Sequence, residues 1–287
     1  MTATTRPNVL ILGGGAGGTM TANVLRRRLD VDVTVVDRRT THQYQPSYYL
    51  IPFGYMELDD HRRDERDLLH DDVQFVVDTV TAIDPDDRTV VGEADTYDYD
   101  YLVVSVGNSL RPDHVDGMVE GWERTDSVFP FYDAAAAEAL GGAVDDFDGG
   151  TFLVTVPDTP IKCGGAPLKL TMLMEEYLRE RGVREDAEVV MTKPGEHVFG
   201  TGPKAPYQER IEEIWDERDI TFVPNFTVDA VDYEAGVVRS EEGDELAYDL
   251  YAPVPPQHGH EFLVEQSPLT NGGEYVAVDD HTLQHER

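Results

Sequence analysis

The sequence predicts an α/β protein with two dinucleotide-binding-type domains, and three observations predict it. A strand, a glycine-rich turn, a helix and a second strand follow one another up to Asp37. The same strand–loop–helix–strand order returns from residue 151. The length of 287 residues, 40% of them hydrophobic, matches about two domains of ~150 residues with cores of their own. Alternation of this kind implies parallel sheets covered by helices on both faces. This is a three-layer, Rossmann-like architecture, here with small antiparallel insertions.

In chain order, residues 9–12 are an apolar strand that runs into the glycines. Met20, Val24 and Leu25 then recur on one helical face, and Arg26, Arg27 and Arg28 suit the helix C-terminus. Residues 33–36 form the second strand, closed by Asp37. Residues 42–56 read as an irregular, aromatic-rich connection, and 59–69 as a charged helical surface segment. Strands are expected at 73–77, 80–83 and 89–91, with a turn at Pro85-Asp86-Asp87. Another is expected at 97–106, where Gly107 stops a buried run. The second unit opens near 113 with an alanine-rich helix at 133–140 and a buried strand at 151–156. After a Pro- and Gly-rich loop come a helix at 168–181, a strand at 187–191, a helix at 205–218 and a strand at 221–223. Residues 227–233, 237–240 and 246–251 read as an antiparallel set, and 275–278 as a last short strand. The expected domains are 1–112, 113–254 and 255–287, the last returning to the first domain.

The charge excludes some functions. With 57 acidic against 23 basic side chains, the net charge of −34 repels phosphate backbones and anionic lipid alike. The reading therefore expects no nucleic-acid partner. The basic residues include only Lys162, Lys169, Lys193 and Lys204 as lysines, and abundant acid with scarce lysine points to a high-salt cytoplasm. No segment reaches the 18 or more apolar residues of a spanning helix, and the N-terminus lacks signal-peptide character. A single cysteine excludes an intrachain disulfide. The expectation is a cytoplasmic protein.

Gly13-x-Gly15-x-x-Gly18 stands between a strand and a helix, the context that gives this spacing its meaning. Gly13 permits the tight turn, Gly15 admits a pyrophosphate to the backbone, and Gly18 lets the helix pack close. Ala16 and Gly17 begin the helix whose free N–H groups face the anion. Asp37, at the end of the next strand, accepts hydrogen bonds from a ribose and repels a 2′-phosphate. The strand that ends Ser105-Val106-Gly107 offers a small residue and a glycine beneath the same cofactor.

The corresponding loop of the second unit, Pro157 to Pro167, has no such glycine spacing, which disfavours a nicotinamide site there. It carries Cys163 instead, between a strand and a helix, with Lys162 adjoining and Lys169 six residues on. A helix N-terminus and nearby cations favour the thiolate, so the lone cysteine reads as a reactive thiol.

These segments resemble sulfide:quinone oxidoreductases, within the FAD-dependent pyridine nucleotide-disulfide oxidoreductases. His42-Gln-Tyr44-Gln45-Pro46 is similar to that family's flavin-side loop. Residues 160–169 (PIKCGGAPLK) look like its active-site cysteine segment, and Pro255-Pro256-Gln257-His258 resembles its later proline-rich loop. The resemblance implies FAD at Gly13, Gly15, Ala16, Gly17, Gly18, Asp37 and Arg38, with Tyr44, Pro46, Val80, Ser105 and Gly107 along it. It implies Cys163, assisted by Lys162, as the thiol that takes sulfide sulfur as a persulfide, with electrons passing through flavin to a quinone. Two departures stand out. The family's second cysteine is absent, and the chain stops at Arg287 before the late Gly-Asp strand and the membrane-docking segments are due. The resemblance thus implies a member without its last part, and peripheral membrane contact belongs to the full-length family. Two alternatives stay open: an NAD(P)H-dependent NADH:quinone dehydrogenase type and an inactive flavoprotein remnant. The histidines show no metal-ligand spacing, so no metal is expected. His197 is a candidate proton relay, and Tyr44, Tyr48, Tyr49 and Phe53 are a candidate quinone path or plain packing.

Overall fold

The computed structural model describes residues 6–199, 206–270 and 272–286. The chain divides into two compact units. The first comprises Met1–Tyr44, Arg62–Ser109 and His258–Arg287, and the second Gln45–His61 and Leu110–Gln257.

The first unit is built on a four-stranded parallel sheet, in the order Gln74–Val77, Asp32–Asp37, Asn8–Leu12, Tyr101–Val104. Its central strand is apolar on both faces because both are covered, as parallel sheets require. Val9, Ile11, Val33 and Val35 pack on one face with Phe75 and Ala22. Leu10, Leu12 and Val36 pack on the other with Ile83, Val90 and Leu263. A three-stranded antiparallel sheet, Val80–Asp84, Thr89–Gly92 and Thr96–Asp98, supplies Ile83 and Val90.

The second unit repeats the order: Ile220–Pro224, Ala187–Lys193, Gly150–Thr155, Leu250–Pro253, all parallel. Phe152, Val154, Val189 and Met191 pack against Leu170, Met174 and Leu178 of the helix Ala166–Arg181. That helix starts with Pro in its first turn and stops at Gly182, whose φ of +76° is the left-handed conformation glycine adopts at a helix end. The helix Ala134–Asp146 is capped by Asp133, whose side chain accepts from the N–H groups of Ala135 and Ala136.

Five expectations are corrected. The helix Ala16–Arg28 turns Gly18, Thr19 and Ala22 inward, while Met20 and Val24 are 66% and 43% exposed. Leu25 does pack on that core; the apolar periodicity misleads for Met20 and Val24 because the close approach of the glycine turn admits only small residues on the inner face of the first turns. Residues 59–69 are not one helix: a 3-10 turn, the strand Arg62–Asp64 and the short helix Glu65–Leu68 share the segment. Residues 246–251 split between the antiparallel strand Glu245–Ala247 and Leu250–Pro253 of the parallel sheet, because the hydrophobic run passes from one sheet to the other. Residues 275–278 form no strand. Finally, residues 45–61 belong to the second unit, where Tyr48 and Ile51 pack on Ala134 and Ala137. These contacts are distant in sequence, and no local pattern announces them.

Candidate functional site

In the first unit the glycines sort into an inner and an outer set. Gly13, Gly14 and Gly18 are buried, while Gly15, Ala16 and Gly17 are exposed. Gly13 has φ +97°, and a Cβ there would lie 2.4 Å from the Ser105 carbonyl oxygen. A Cβ on Gly18 would lie 1.8 Å from the Gly13 carbonyl oxygen, whereas one on Gly15 would meet nothing within 4 Å. The turn is therefore closed behind and open in front, where the first N–H groups of the helix have no intrahelical partner.

Asp37 ties into this turn. One carboxylate oxygen accepts from the Gly14 N–H at 2.7 Å and the other from the Arg39 N–H at 2.8 Å, so the group is oriented before any ligand arrives. Each oxygen retains a lone pair. Arg38 is exposed beside it. Ser105 lies under the helix start, its hydroxyl 2.6 Å from where a Gly17 Cβ would stand, and Gly107 turns the chain at φ +72°. His260 holds that turn. Its Nε2–H donates to the Val106 carbonyl at 3.0 Å, and the Ser109 hydroxyl donates to Nδ1 at 2.9 Å. Burial, aided by Arg38 and Arg39, pulls the imidazole below its ordinary value, which keeps this neutral tautomer. Val80 is half-buried in the antiparallel sheet, and Tyr44 is 53% exposed at the edge of the unit.

Sequence reasoning assigned nothing to Glu65, although its carboxylate is buried directly behind the Gly14 peptide. It hydrogen-bonds Thr19 and lies 3.1 Å from His42 Nδ1. A lone acid in a charged stretch carries no sequence signal that it turns inward.

In the second unit Cys163 is exposed, with φ +56°, a conformation uncommon for any residue with a Cβ and often found at functional positions. Three contacts fix it. The Tyr132 hydroxyl donates to the Cys163 carbonyl at 2.9 Å, the Ala166 N–H donates to the same oxygen at 2.9 Å, and the Lys162 N–H donates to buried Gln257 Oε1 at 2.9 Å. Burial, then the Cys163 sulfur, push the Tyr132 phenol well above its usual range, so it stays a donor.

The thiol opens on an apolar cavity of about 170 Å³, lined by Gln45, Pro46, Tyr48, Tyr49, Phe131, Tyr132, Lys162 and Ala166. The sequence places Lys162 and Lys169 beside the cysteine. In the structure each ammonium lies over a ring of that lining, Lys162 Nζ 5.9 Å from the Tyr132 centroid and Lys169 Nζ 5.0 Å from that of Tyr49. Gln257 was read only as part of the proline-rich loop, not as a partner of the cysteine segment, and Phe131 and Tyr132 escaped notice. An aromatic pair just before a helix cap was their only trace. Phe53 packs on Tyr177, and His197 sits half-buried in its loop. Among the described residues no His, Cys, Asp and Glu group forms a metal site, and no helix is long and apolar enough to cross a membrane.

Residues 7–142 match the model of the pyridine nucleotide-disulphide oxidoreductase family. The chain is 32% identical to the mitochondrial sulfide:quinone oxidoreductase of Dictyostelium discoideum over 96% of its own length and 62% of that protein. It is 30% identical to the mitochondrial sulfide:quinone oxidoreductase of Mus musculus, over its whole length and 64% of the mouse protein. The chain thus spans less than two thirds of these relatives. The crystal structure of the Aquifex aeolicus sulfide:quinone oxidoreductase shares its fold with a TM-score of 0.80 at 20% identity, over 95% of this chain and 64% of that one. These alignments take in nearly every element described above, and over that span the chain is similar to the pyridine nucleotide-disulphide oxidoreductases and, among them, to sulfide:quinone oxidoreductases.

Proposed function

We propose that the chain is a flavin-dependent oxidoreductase of the sulfide:quinone type, with FAD on the Gly13–Gly18 turn and Cys163 as the sulfur-accepting thiol. The carrying observation is the exposed Cys163, in a left-handed backbone, on the wall of an aromatic-lined cavity. The first unit fits the adenosine half of FAD: a glycine turn closed behind and open in front, with the oriented carboxylate of Asp37 beside it. Bound there, FAD would supply acceptance of an electron pair and its delivery to a quinone.

The chain's own residues supply the sulfur chemistry. The Cys163 thiolate and a hydrosulfide ion join through a new S–S bond, releasing one proton and two electrons and leaving a persulfide anion. Lys162, on the cavity wall, and Lys169, over the Tyr49 ring of that wall, offset the two negative charges that must meet. The Tyr132 and Gln257 hydrogen bonds hold the loop while the sulfur changes its bonding.

The test is anaerobic titration of the purified flavoprotein. Sulfide is expected to bleach the flavin band and quinone to restore it, with Cys163→Ser at least ~100-fold slower. NADH is expected to leave the band unchanged. Bleaching by NADH alone assigns the NADH:quinone alternative, and a protein without a flavin band assigns the inactive one.

A further inference from the structure

His260 grips the turn Ser105-Val106-Gly107 from a segment far along the chain. It stands three residues before Leu263, which is buried and packs with Leu10 and Leu12 on one face of the first sheet. His260 precedes the short helix Glu261–Glu265, and its carbonyl accepts from the N–H groups of Leu263 and Val264 at 2.9 and 3.2 Å. The backbone that carries the imidazole is thus tied to the core.

The imidazole decides how one peptide is turned. The Val106 carbonyl has only lone pairs to offer, so the hydrogen between it and His260 Nε2, 3.0 Å apart, sits on Nε2. Ser109 Oγ engages the other ring nitrogen at 2.9 Å. A trans peptide points its N–H opposite to its C=O. With the carbonyl of the Val106–Gly107 peptide drawn to His260, the Gly107 N–H points away from it. Among the described residues that N–H has no hydrogen-bond partner.

The turn is fixed on the side of the glycine loop. The Ser105 N–H donates to the Leu12 carbonyl at 2.8 Å, and a Cβ on Gly13 would lie 2.8 Å from the Ser105 carbonyl carbon and 3.0 Å from Val106 Cα. At Gly107 itself there is space, because a Cβ there would meet nothing within 4 Å. The Ser105 hydroxyl reaches under Gly17, so the turn borders the start of the helix Ala16–Arg28.

Resting on the reading of the glycine loop as a dinucleotide site, we infer that His260 is a positioning residue. It holds the Val106–Gly107 peptide so that the Gly107 N–H serves as a further donor to the pyrophosphate. Without the imidazole, the carbonyl is free to rotate to the open side, where it would present an acceptor to an anion.

The test is ADP binding to the full chain freed of flavin, measured by calorimetry for the unmodified protein and two variants. His260→Phe keeps a ring beside Phe262 and loses both nitrogens, and His260→Gln keeps an N–H donor in place of Nε2. His260→Phe is expected to bind ADP about 10- to 100-fold more weakly, the range of one hydrogen bond to a charged acceptor. His260→Gln is expected to stay within about threefold of the unmodified chain. With isotope-labelled glycine, the Gly107 amide proton is expected to move downfield on ADP binding in the unmodified chain and in His260→Gln, and to stay in place in His260→Phe. His260→Met replaces His260→Phe in each comparison if the latter does not fold. Binding by His260→Phe as tight as by the unmodified chain overturns the inference and spares the dinucleotide reading. So does a His260→Gln variant as weak as His260→Phe, or a Gly107 amide that ADP leaves unmoved in the unmodified chain. Absence of ADP binding by the unmodified chain overturns both.

Discussion

The two units use one strand order and put a glycine-rich loop at the same place, after the C-terminal end of the first sheet strand, yet the loops obey opposite rules. In the first unit the loop folds back on itself so tightly that a Cβ at Gly18 would lie 1.8 Å from a backbone oxygen. In the second, a Cβ at Gly165 would find its nearest neighbours at 4.0 Å, both of them side-chain atoms. The following helices differ accordingly. Ala16–Arg28 presents Gly18, Thr19 and Ala22 to its sheet, and Ala166–Arg181 presents Leu170, Met174 and Leu178. A loop that turns back onto its own backbone this closely dictates small residues around it. A loop that displays one side chain leaves its helix free to pack large ones.

The largest expected effect breaks this contrast directly. Gly18→Ala is expected to lose about 5 kcal/mol or fail to fold, because the clash is with backbone, whereas Gly165→Ala is expected to change stability by less than about 1 kcal/mol. Urea unfolding of both variants measures it, and equal losses would remove the distinction between the loops.

The next sharpens the difference in buried charge. Glu175 in the second unit is fully buried and bound by Arg179 and Arg218, the latter at 2.8 Å, with Arg184 Nε at 3.7 Å. Glu175→Ala is expected to cost about 3–5 kcal/mol by leaving three guanidinium groups without their shared partner, again read by urea unfolding.

The first unit should instead respond to acid. Asp78 suffers a desolvation that by itself would raise its pKa. Hydrogen bonds from the Tyr97 hydroxyl at 2.7 Å and from the N–H groups of Ala94, Thr79 and Asp95 outweigh this and hold it below the usual carboxylate value. Tyr97 is in turn pushed up to about 12, by burial and then by Asp78. A depressed folded value stabilises above the unfolded carboxylate pKa near ~3.9 and loses that stability as pH falls through the folded value. Asp78→Asn is therefore expected to be about 2 kcal/mol less stable than the unmodified chain at pH 7, with the gap closing below about pH 4. Unfolding curves from pH 3 to 7 give the comparison, and a constant gap would contradict it.

The smallest expected effect lies at the thiol. Tyr132→Phe removes one hydrogen bond to the Cys163 carbonyl and is expected to cost about 1 kcal/mol, with faster and less selective alkylation of Cys163 by a small reagent. An unchanged alkylation rate would mean that the Ala166 and Gln257 contacts hold the loop without Tyr132.

The amino-acid sequence by itself determined the glycine turn, the position of the lone cysteine before a helix, and both parallel sheets except the strand Leu250–Pro253. These follow from neighbours: apolar runs of sheet length, glycine at fixed spacing, and an N-terminal proline in the helix. The tertiary structure alone decided which residues surround them. Residues 45–61 join the second unit through Tyr48 and Ile51, Glu65 turns inward beneath Gly14, and Tyr132 and Gln257 reach the cysteine loop across long stretches of chain. Periodicity records which face of an element is apolar. It does not record which distant element covers that face, because the closing contacts are made between segments whose separation in sequence leaves no local trace.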